Sequence, residues 1–445
     1  TFKEFFPEGN DPKNQTYFGV YLFERKGQCF AISFGKAHFY IRTYCEHDYG
    51  IEMAKRIASE KDVKQTASKK FAGKKKKEIK SYNQNTALDI ESGESIDYIR
   101  AAIADDKREM FGKSGQFGAS LLINFPGDKE NLGDLFDALL LARQEEEKFK
   151  LPRTVTVSDP LELEKYNGML LSAIKSTADS TSLSDSTHEI IGVDFVFAGH
   201  QSYEFQCWGH SSQSCESLDL VSLRQYIQTE NLSDEEILKV RVKVKAEGQR
   251  AYSKSLQEAL EYIIDDEMVV LSQGRWVRFN EDYLEQLDEY IDAIEVEETE
   301  SQFLEIEKAE GDFNASQELK DAGYESADKD FTKIKVNASI PIEAWDLSRE
   351  GVAYAVKFGT AQKLSYVCDQ ALAVLEVIRN KANIKKLDKG IQSYCLWLGF
   401  DRSEALQKIS ETKSIILKQK IEAWAHKCRE VGFEPKIKMS RKVAK

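Results

Sequence analysis

The sequence predicts a mixed α/β protein of two lobes: an N-terminal mixed sheet with helices, and a C-terminal strand hairpin plus helices. Three observations predict it. Short aromatic and β-branched runs alternate with stretches whose apolar residues recur every three or four positions, so strand and helix periods trade places along the chain. The 445 residues, 41% of them hydrophobic, supply enough apolar material for more than one packed core. No apolar window approaches the ~18 residues that a membrane span requires, the longest being stretches such as Ala138 to Ala142.

Taken in order, Tyr17–Phe23 is a compact apolar run closed by Glu24-Arg25-Lys26-Gly27, where glycine serves a positive φ. Cys29–Phe34 and Phe39–Tyr44, rich in aromatic and β-branched residues, read as the next strands of a hairpin or meander. Ile51, Ala54 and Ile57 share a helical face, while the lysine-rich 64–80 stretch has too little to bury and reads as a loop or exposed helix. Residues 95–99 start a short helix, Ala119–Phe125 is a strand, and Leu132–Phe149 is a helix with Leu135, Leu139 and Ala142 inward. Pro152 ends that helix, a strand begins near Val155, and the Ser-, Thr- and Asp-rich stretch 172–188 reads as a linker. These elements form a first domain, 1–180.

A second domain, 181–300, pairs Glu189–Ala198 with Tyr203–Trp208 and starts helices at Leu220–Gln228 and Ser233–Leu238. Arg241–Lys245 alternates basic and valine residues as a half-buried strand does. Glu267–Leu271, a Gln273-Gly274 turn and Arg275–Phe279 make a hairpin, and an acidic helix covers 281–294. The third domain, 301–445, passes through helix and loop to strands at 333–340, 342–347 and 352–358, with a turn at Arg349-Glu350-Gly351. Residues 363–430 read as mostly helical.

The seven cysteines, Cys29, Cys45, Cys207, Cys215, Cys368, Cys395 and Cys428, are scattered and odd in number, which suits a reducing cytoplasm better than a disulfide framework. No charged-then-apolar leader is present, and a cytoplasmic location is expected. The net charge of −13 conceals a segregation: residues 281–330 carry 19 acidic and 3 basic side chains, residues 341–445 carry 12 and 20. A further basic run, 55–80, has 11 basic and 3 acidic residues and includes Lys74, Lys75, Lys76 and Lys77. Such runs are often plain solvated faces. Two of them in an acidic protein also describe an anion-binding surface, which the acidic strip could pack against or mask.

Three stretches carry a family resemblance. They are Cys29–Gly35 followed by Asp48-Tyr49-Gly50-Ile51; Val269–Trp276; and Ile342–Leu347 with Ala355-Val356-Lys357 and Lys363-Leu364-Ser365 beyond. In order and spacing they resemble a sporadically distributed bacterial and archaeal family of unknown function, over about residues 17 to 380. Val277 stands where that family usually has an aromatic residue, Ala355 and Tyr366 where it often has histidine, and Phe358 where it often has a basic residue. The resemblance implies a gene of defence or mobile-element type and no particular reaction.

For chemistry, the leading constellation is Glu343, Asp346 and Lys357. Two acids at the end of one strand can share a Mg²⁺, with Glu343 and Asp346 as its ligands, while a lysine on the neighbouring strand stabilises a pentavalent phosphate or orients water. This resembles the PD-(D/E)xK nuclease core, although the acid two residues before the lysine is replaced here by Ala355. Gln370 stands where related nucleases place a polar helper, and Glu310 and Asp312 could complete an acidic site. The alternative is a Glu–Lys cross-strand pair on a solvent face. His200, Cys207, His210 and Cys215 have zinc-binding side chains, but their spacing matches no zinc finger and zinc is not expected. Gly112-Lys113-Ser114-Gly115 lacks the glycine that a phosphate loop needs five residues earlier, where Lys107 stands.

Phosphates could meet Lys74, Lys75, Lys76, Lys77, Lys363, Lys385, Lys386, Lys418 and Lys420, while Trp397 and Trp424 read as core residues rather than stacking platforms. Two functions stay open. One is a nucleic-acid-binding protein, DNA or RNA, of a defence or mobile-element system, with metal-dependent nuclease activity as its catalytic form. The other is a non-catalytic sensor or scaffold whose basic and acidic faces dock partner proteins. Neither involves a membrane.

Overall fold

A computed structural model describes residues 16–70, 78–83, 88–175, 194–195, 201–215, 218–246, 251–264, 267–326, 345–380, 390–402, 404–412 and 414–443. The chain forms two compact units, one of Thr1–Ser68, Ile79–Asp89 and Ile96–Leu151, the other of Lys69–Glu78, Ile90–Ser95 and Pro152–Lys445. The fold class is mixed α+β, as expected, with several sheets rather than one doubly wound sheet.

The first unit opens on a hairpin, β1 (Gly19–Arg25) and β2 (Gln28–Phe34), with Phe23 opposite Phe30. Lys26 and Gly27, at φ 51° and 76°, make the two-residue turn that matches strand twist. Phe23 and Phe30 pack on Phe136 at ring separations of 4.9 and 4.5 Å, and Arg25 pairs with Asp137. Helices α1 (His38–Ile41) and α2 (Tyr49–Ile57) follow, then strands β3 (Ala58–Lys70), β4 (Glu78–Ser81) and β5 (Glu94–Ile103). After α3 (Arg108–Phe111), strands β6 (Ser114–Phe117) and β7 (Leu121–Ile123) complete a sheet of order β4-β3-β5-β6-β7, and α4 (Leu132–Ala142) covers the hairpin.

The helix expected over 132–149 stops at Ala142, ten residues before Pro152, and three further expectations fail, each for a local reason. Phe39–Tyr44 is helical, not a strand: past Gly35 (φ 63°) the chain turns and the Tyr40 N–H donates to Ala37 O at 2.9 Å. Residues 95–99 belong to a strand, because Ile99, Ala101 and Ile103 are buried around exposed Arg100, a period of two that outweighs the three-residue spacing of Ile96 and Ile99. Residues 64–70 are also strand: small Thr66, Ala67 and Ser68 are buried while Lys61 and Lys64 stay in solvent.

The second unit begins with β8 (Thr154–Thr156), α5 (Pro160–Lys175) and β9 (Asp194–Phe195), then β10 (Gln201–Gln206), β11 (Gln213–Cys215), α6 (Leu220–Glu230), α7 (Asp234–Lys239) and β12 (Arg241–Ala246). Next come β13 (Tyr252–Ser255), α8 (Leu256–Ala259), β14 (Leu260–Ile264), and the expected hairpin β15 (Val269–Ser272) and β16 (Arg275–Phe279). They form sheets of order β11-β10-β12-β13 and β8-β16-β15-β14-β9 around Phe205, Tyr226, Val242, Leu260 and Trp276. The expected pairing of 189–198 with 203–208 does not form among the described residues: β9 pairs with β14, and β10 takes β11 and β12.

The remaining elements are α9 (Glu281–Asp292), β17 (Glu295–Val296), β18 (Glu305–Ile306), α10 (Glu310–Asn314), α11 (Gln317–Asp321), β19 (Glu325–Ser326), β20 (Leu347–Arg349), β21 (Val352–Gly359), α12 (Ala361–Asn380), β22 (Ser393–Asp401), α13 (Ile415–Val431) and β23 (Glu434–Lys442). Their sheet runs β17-β23-β22-β21-β20-β19, with β18 also on β23. β21, β22 and β23 are parallel, joined through α12 and α13. Leu364, Leu375, Ile421 and Trp424 from these helices share one core with Leu396 and Leu398, while Phe303, Phe313 and Tyr324 close the other face over Tyr354 and Trp397. Trp397 and Trp424 are both fully buried, as the core reading required.

The stretch expected to be mostly helical therefore contains β22, whose Tyr394–Phe400 run is buried on both faces and so shows no alternation to betray a strand. The expected strand at 333–340 and most of that at 342–347 lie outside the described residues. No described helix is long and apolar enough to cross a membrane.

Candidate functional site

The β20–β21 hairpin positions the leading constellation. Glu350 and Gly351, at φ 48° and 80°, make its two-residue turn, with Arg349 opposite Val352. Where the hairpin stops, Asp346 acts as a terminator. Its N–H donates to Tyr354 O at 2.9 Å, and its Oδ2 accepts the Val356 N–H at 2.6 Å in place of a ladder carbonyl. One carboxylate oxygen is thus committed to the backbone.

Lys357, near the carboxyl end of β21, donates to Glu310 Oε1 at 3.0 Å, and its ammonium lies 6.0 Å from the Tyr366 ring. Both partners of the ion pair are partly exposed. Glu310 comes from α10 and stands beside the lysine that lacks an acid two residues earlier, at Ala355. Gln370 is exposed on α12, one turn beyond Tyr366. Lys363, exposed in the first turn of the same helix, lies beside Gly359, whose φ of 137° suits the strand-to-helix turn. Glu343 lies outside the described residues. Among the described residues, no three His, Cys, Asp or Glu side chains gather as a metal site would need. Asp346 and Glu310 do not by themselves fit a Mg²⁺.

The basic candidates divide. Lys418 is buried and pairs with Asp288 at 2.7 Å, and Lys420 pairs with Asp369 at 2.9 Å. Lys74, Lys75, Lys76, Lys77, Lys385 and Lys386 lie outside the described residues, as does His200. Of the other zinc-type side chains, His210 contacts Glu236 at 3.2 Å and buried Cys207 faces the Glu236 carbonyl at 3.7 Å. Gly112-Lys113-Ser114 leads from a helix into a strand, the reverse of a phosphate loop.

Sequence reasoning missed the most heavily buried charge among the described residues of the second unit. Lys438 on β23 has no exposed surface, and its ammonium donates to Glu297 Oε1 at 2.9 Å and Glu298 O at 3.0 Å. Glu300 Oε2 lies 2.8 Å away, at ion-pair distance but outside hydrogen-bond geometry. The ammonium also sits 4.9 Å from the centre of the Trp397 ring. Arg349 completes the group, bonding Glu300 at 2.5 Å and Glu297 at 3.3 Å. Burial alone would raise the Glu300 pKa, but the Lys438 ammonium beside it and the hydrogen bond from Arg349 overcome it and pull the group to about 2. Tyr354 is pushed far above the ordinary phenol value by burial and then by the charge of Glu297. The available signal was the spacing of Glu295 and Glu297 against that of Lys436 and Lys438, which parallel pairing of β17 with β23 brings side by side.

The family of unknown function DUF6119 matches residues 1–414, and the chain belongs to that family. No curated protein and no solved structure matches the chain.

Proposed function

With membership of that family as the starting point, we propose that this is a cytoplasmic nucleic-acid-binding protein of a bacterial defence or mobile-element system, which meets the polymer's phosphates at the carboxyl end of β21. The observation that supports this reading is Lys357, paired with Glu310 at that strand end and followed by exposed Lys363 in the first turn of α12. In open α/β sheets, ligands gather where parallel strands end. Lysines there contact phosphate without reading sequence. Metal-dependent phosphodiester cleavage is the catalytic form of the proposal, with Glu343 as the acid that would have to join Asp346 for Mg²⁺ to be held.

A gel shift with plasmid, linear DNA and RNA tests binding. The shift should weaken steeply between roughly 50 and 200 mM salt and fall further in Lys357→Ala and Lys363→Ala. Cleavage in Mg²⁺ or Mn²⁺ that disappears in Lys357→Ala and Asp346→Ala supports the catalytic form. Binding and cleavage unaffected by these variants would sink the site assignment.

A second reading, a non-catalytic scaffold, draws on a different observation. The basic residues of α13 and β23 are taken up by acids of the same unit: Lys418 by Asp288, Lys436 by Glu295 and Arg441 by Glu305. Failure of every nucleic acid to shift would favour it.

A further inference from the structure

Among the described residues one carboxylate pairs with Lys357, that of Glu310 at 3.0 Å. Packing holds it there. Glu310 opens α10, and three residues on, buried Phe313 meets Phe358 edge-on at 5.1 Å and Trp397 at 5.2 Å. Phe358 follows Lys357 on β21, so the short helix is anchored beside the lysine it covers. Acids nearer in sequence do not take that place: position 355 is alanine, and Asp346 Oδ2 accepts the Val356 N–H at 2.6 Å.

The Lys357 and Glu310 side chains keep 26% and 31% of their surface in solvent. A pair this exposed adds little to stability, so its partners can be exchanged without unfolding the unit. A phosphate oxygen is the same kind of partner as a carboxylate oxygen, an anionic acceptor of a charge-assisted hydrogen bond. Exposed Lys363 stands in the first turn of α12, which contains no acid. A polyanion can therefore meet Lys363 first and compete for Lys357.

Resting on the nucleic-acid reading of this strand end, we infer that Glu310 is a built-in competitor for the phosphate that Lys357 takes, and so limits how tightly the site binds. Phosphate displaces the carboxylate, which returns to solvent beside the polymer and must then be balanced by a cation. Removing that carboxylate should tighten binding roughly two- to five-fold, the range an exposed pair is worth. It should also steepen the slope of log K against log salt by about 0.9 for duplex DNA, since one more counterion is released overall.

Anisotropy titrations of the full chain against a fluorescein-labelled DNA duplex, and against RNA of the same sequence, at several salt concentrations check this. Glu310→Gln should bind more tightly than the parent and show the steeper slope. Asp312→Asn makes the same charge change at an exposed site on the same helix and should gain clearly less. In a Lys357→Ala background, Glu310→Gln should gain no more than Asp312→Asn does. A Glu310→Gln chain that binds no tighter than Asp312→Asn, or that keeps its gain without Lys357, overturns the inference and leaves the nucleic-acid reading standing. So does a Glu310→Gln melt well below that of Asp312→Asn, which would make the pair part of the fold. A parent and variants that bind neither probe overturn both.

Discussion

Replacing Lys438 by methionine isolates the value of the buried charge network in the second unit. Methionine keeps the length and apolar volume of the side chain and removes only the cation. The ammonium has no exposed surface, sits within 3.0 Å of oxygens from Glu297, Glu298 and Glu300, and faces the Trp397 ring. Without it, Glu297 and Glu300 keep Arg349, which bonds them at 3.3 and 2.5 Å, and the hydroxyls of Tyr354 and Tyr324, which carry no charge to offset theirs. Breaking a buried pair by removing one partner costs about 3–5 kcal/mol, because the desolvated charge left behind loses its compensation. For a unit of this size that corresponds to a fall of roughly 10 °C in melting temperature. All five tryptophans, Trp208, Trp276, Trp345, Trp397 and Trp424, lie in the second unit, so tryptophan fluorescence follows its unfolding without signal from the first. Adding Glu297→Gln to Lys438→Met should recover part of the loss by removing a stranded carboxylate. A Lys438→Met melt within about 3 °C of the parent would refute the reasoning, since the network would then be worth no more than a surface pair.

Three further outcomes follow from neighbouring geometry. Glu300 is held near pKa 2 against an ordinary 4.5, so its contribution to stability is complete above pH 4.5 and is lost as pH falls toward 2. It amounts to about 3 kcal/mol, and Glu300→Gln should flatten the dependence of the urea midpoint on pH between 5 and 3. Gly93 has φ 76°, and a Cβ there would lie 2.5 Å from an oxygen of the buried Glu422 carboxylate. Gly93→Ala should therefore cost about 2 kcal/mol in urea unfolding. Lys418→Ala strands half-buried Asp288, whose pKa burial already raises more than Lys418 lowers it. It should destabilise by about 1–3 kcal/mol and leave any nucleic-acid gel shift unchanged; a weakened shift at full stability would return α13 to the binding surface.

What was legible in the sequence had a period. The β15–β16 hairpin, the α2 face of Ile51, Ala54 and Ile57, and the Arg349–Gly351 turn all combine regular apolar spacing with turn chemistry, and each appears where expected. β22 was invisible because a strand buried on both faces is uniformly apolar, so Tyr394–Phe400 has the same signature as a buried helix. Phe39–Tyr44 misled in the opposite direction, since aromatic composition suggested a sheet that the chain does not extend past Gly35. In the candidate site, Lys357 and Asp346 were identified from local pattern. The partner that actually meets Lys357, Glu310, stands 47 residues earlier and could be named only as one acid among many.

Charge segregation along the sequence was the strongest reason to expect a nucleic-acid surface, and its spatial resolution alters what that reason is worth. An excess of lysine in one stretch signals an external anion only if no internal one neutralises it. Here β17 and β18, from the acidic stretch, lie parallel to β23, from the basic one, and deliver Glu295 to Lys436 and Glu305 to Arg441. Inside, Glu297 and Glu300 hold Lys438. Along β23 the two runs are thus halves of one sheet's electrostatics, as desolvated lysines require carboxylates. A cation that keeps solvent access is a better guide to an anion than one that is merely abundant. By that measure exposed Lys363 and the partly exposed Lys357–Glu310 pair, rather than Lys418 or Lys420, are where a phosphate-bearing partner of this unit should first be sought.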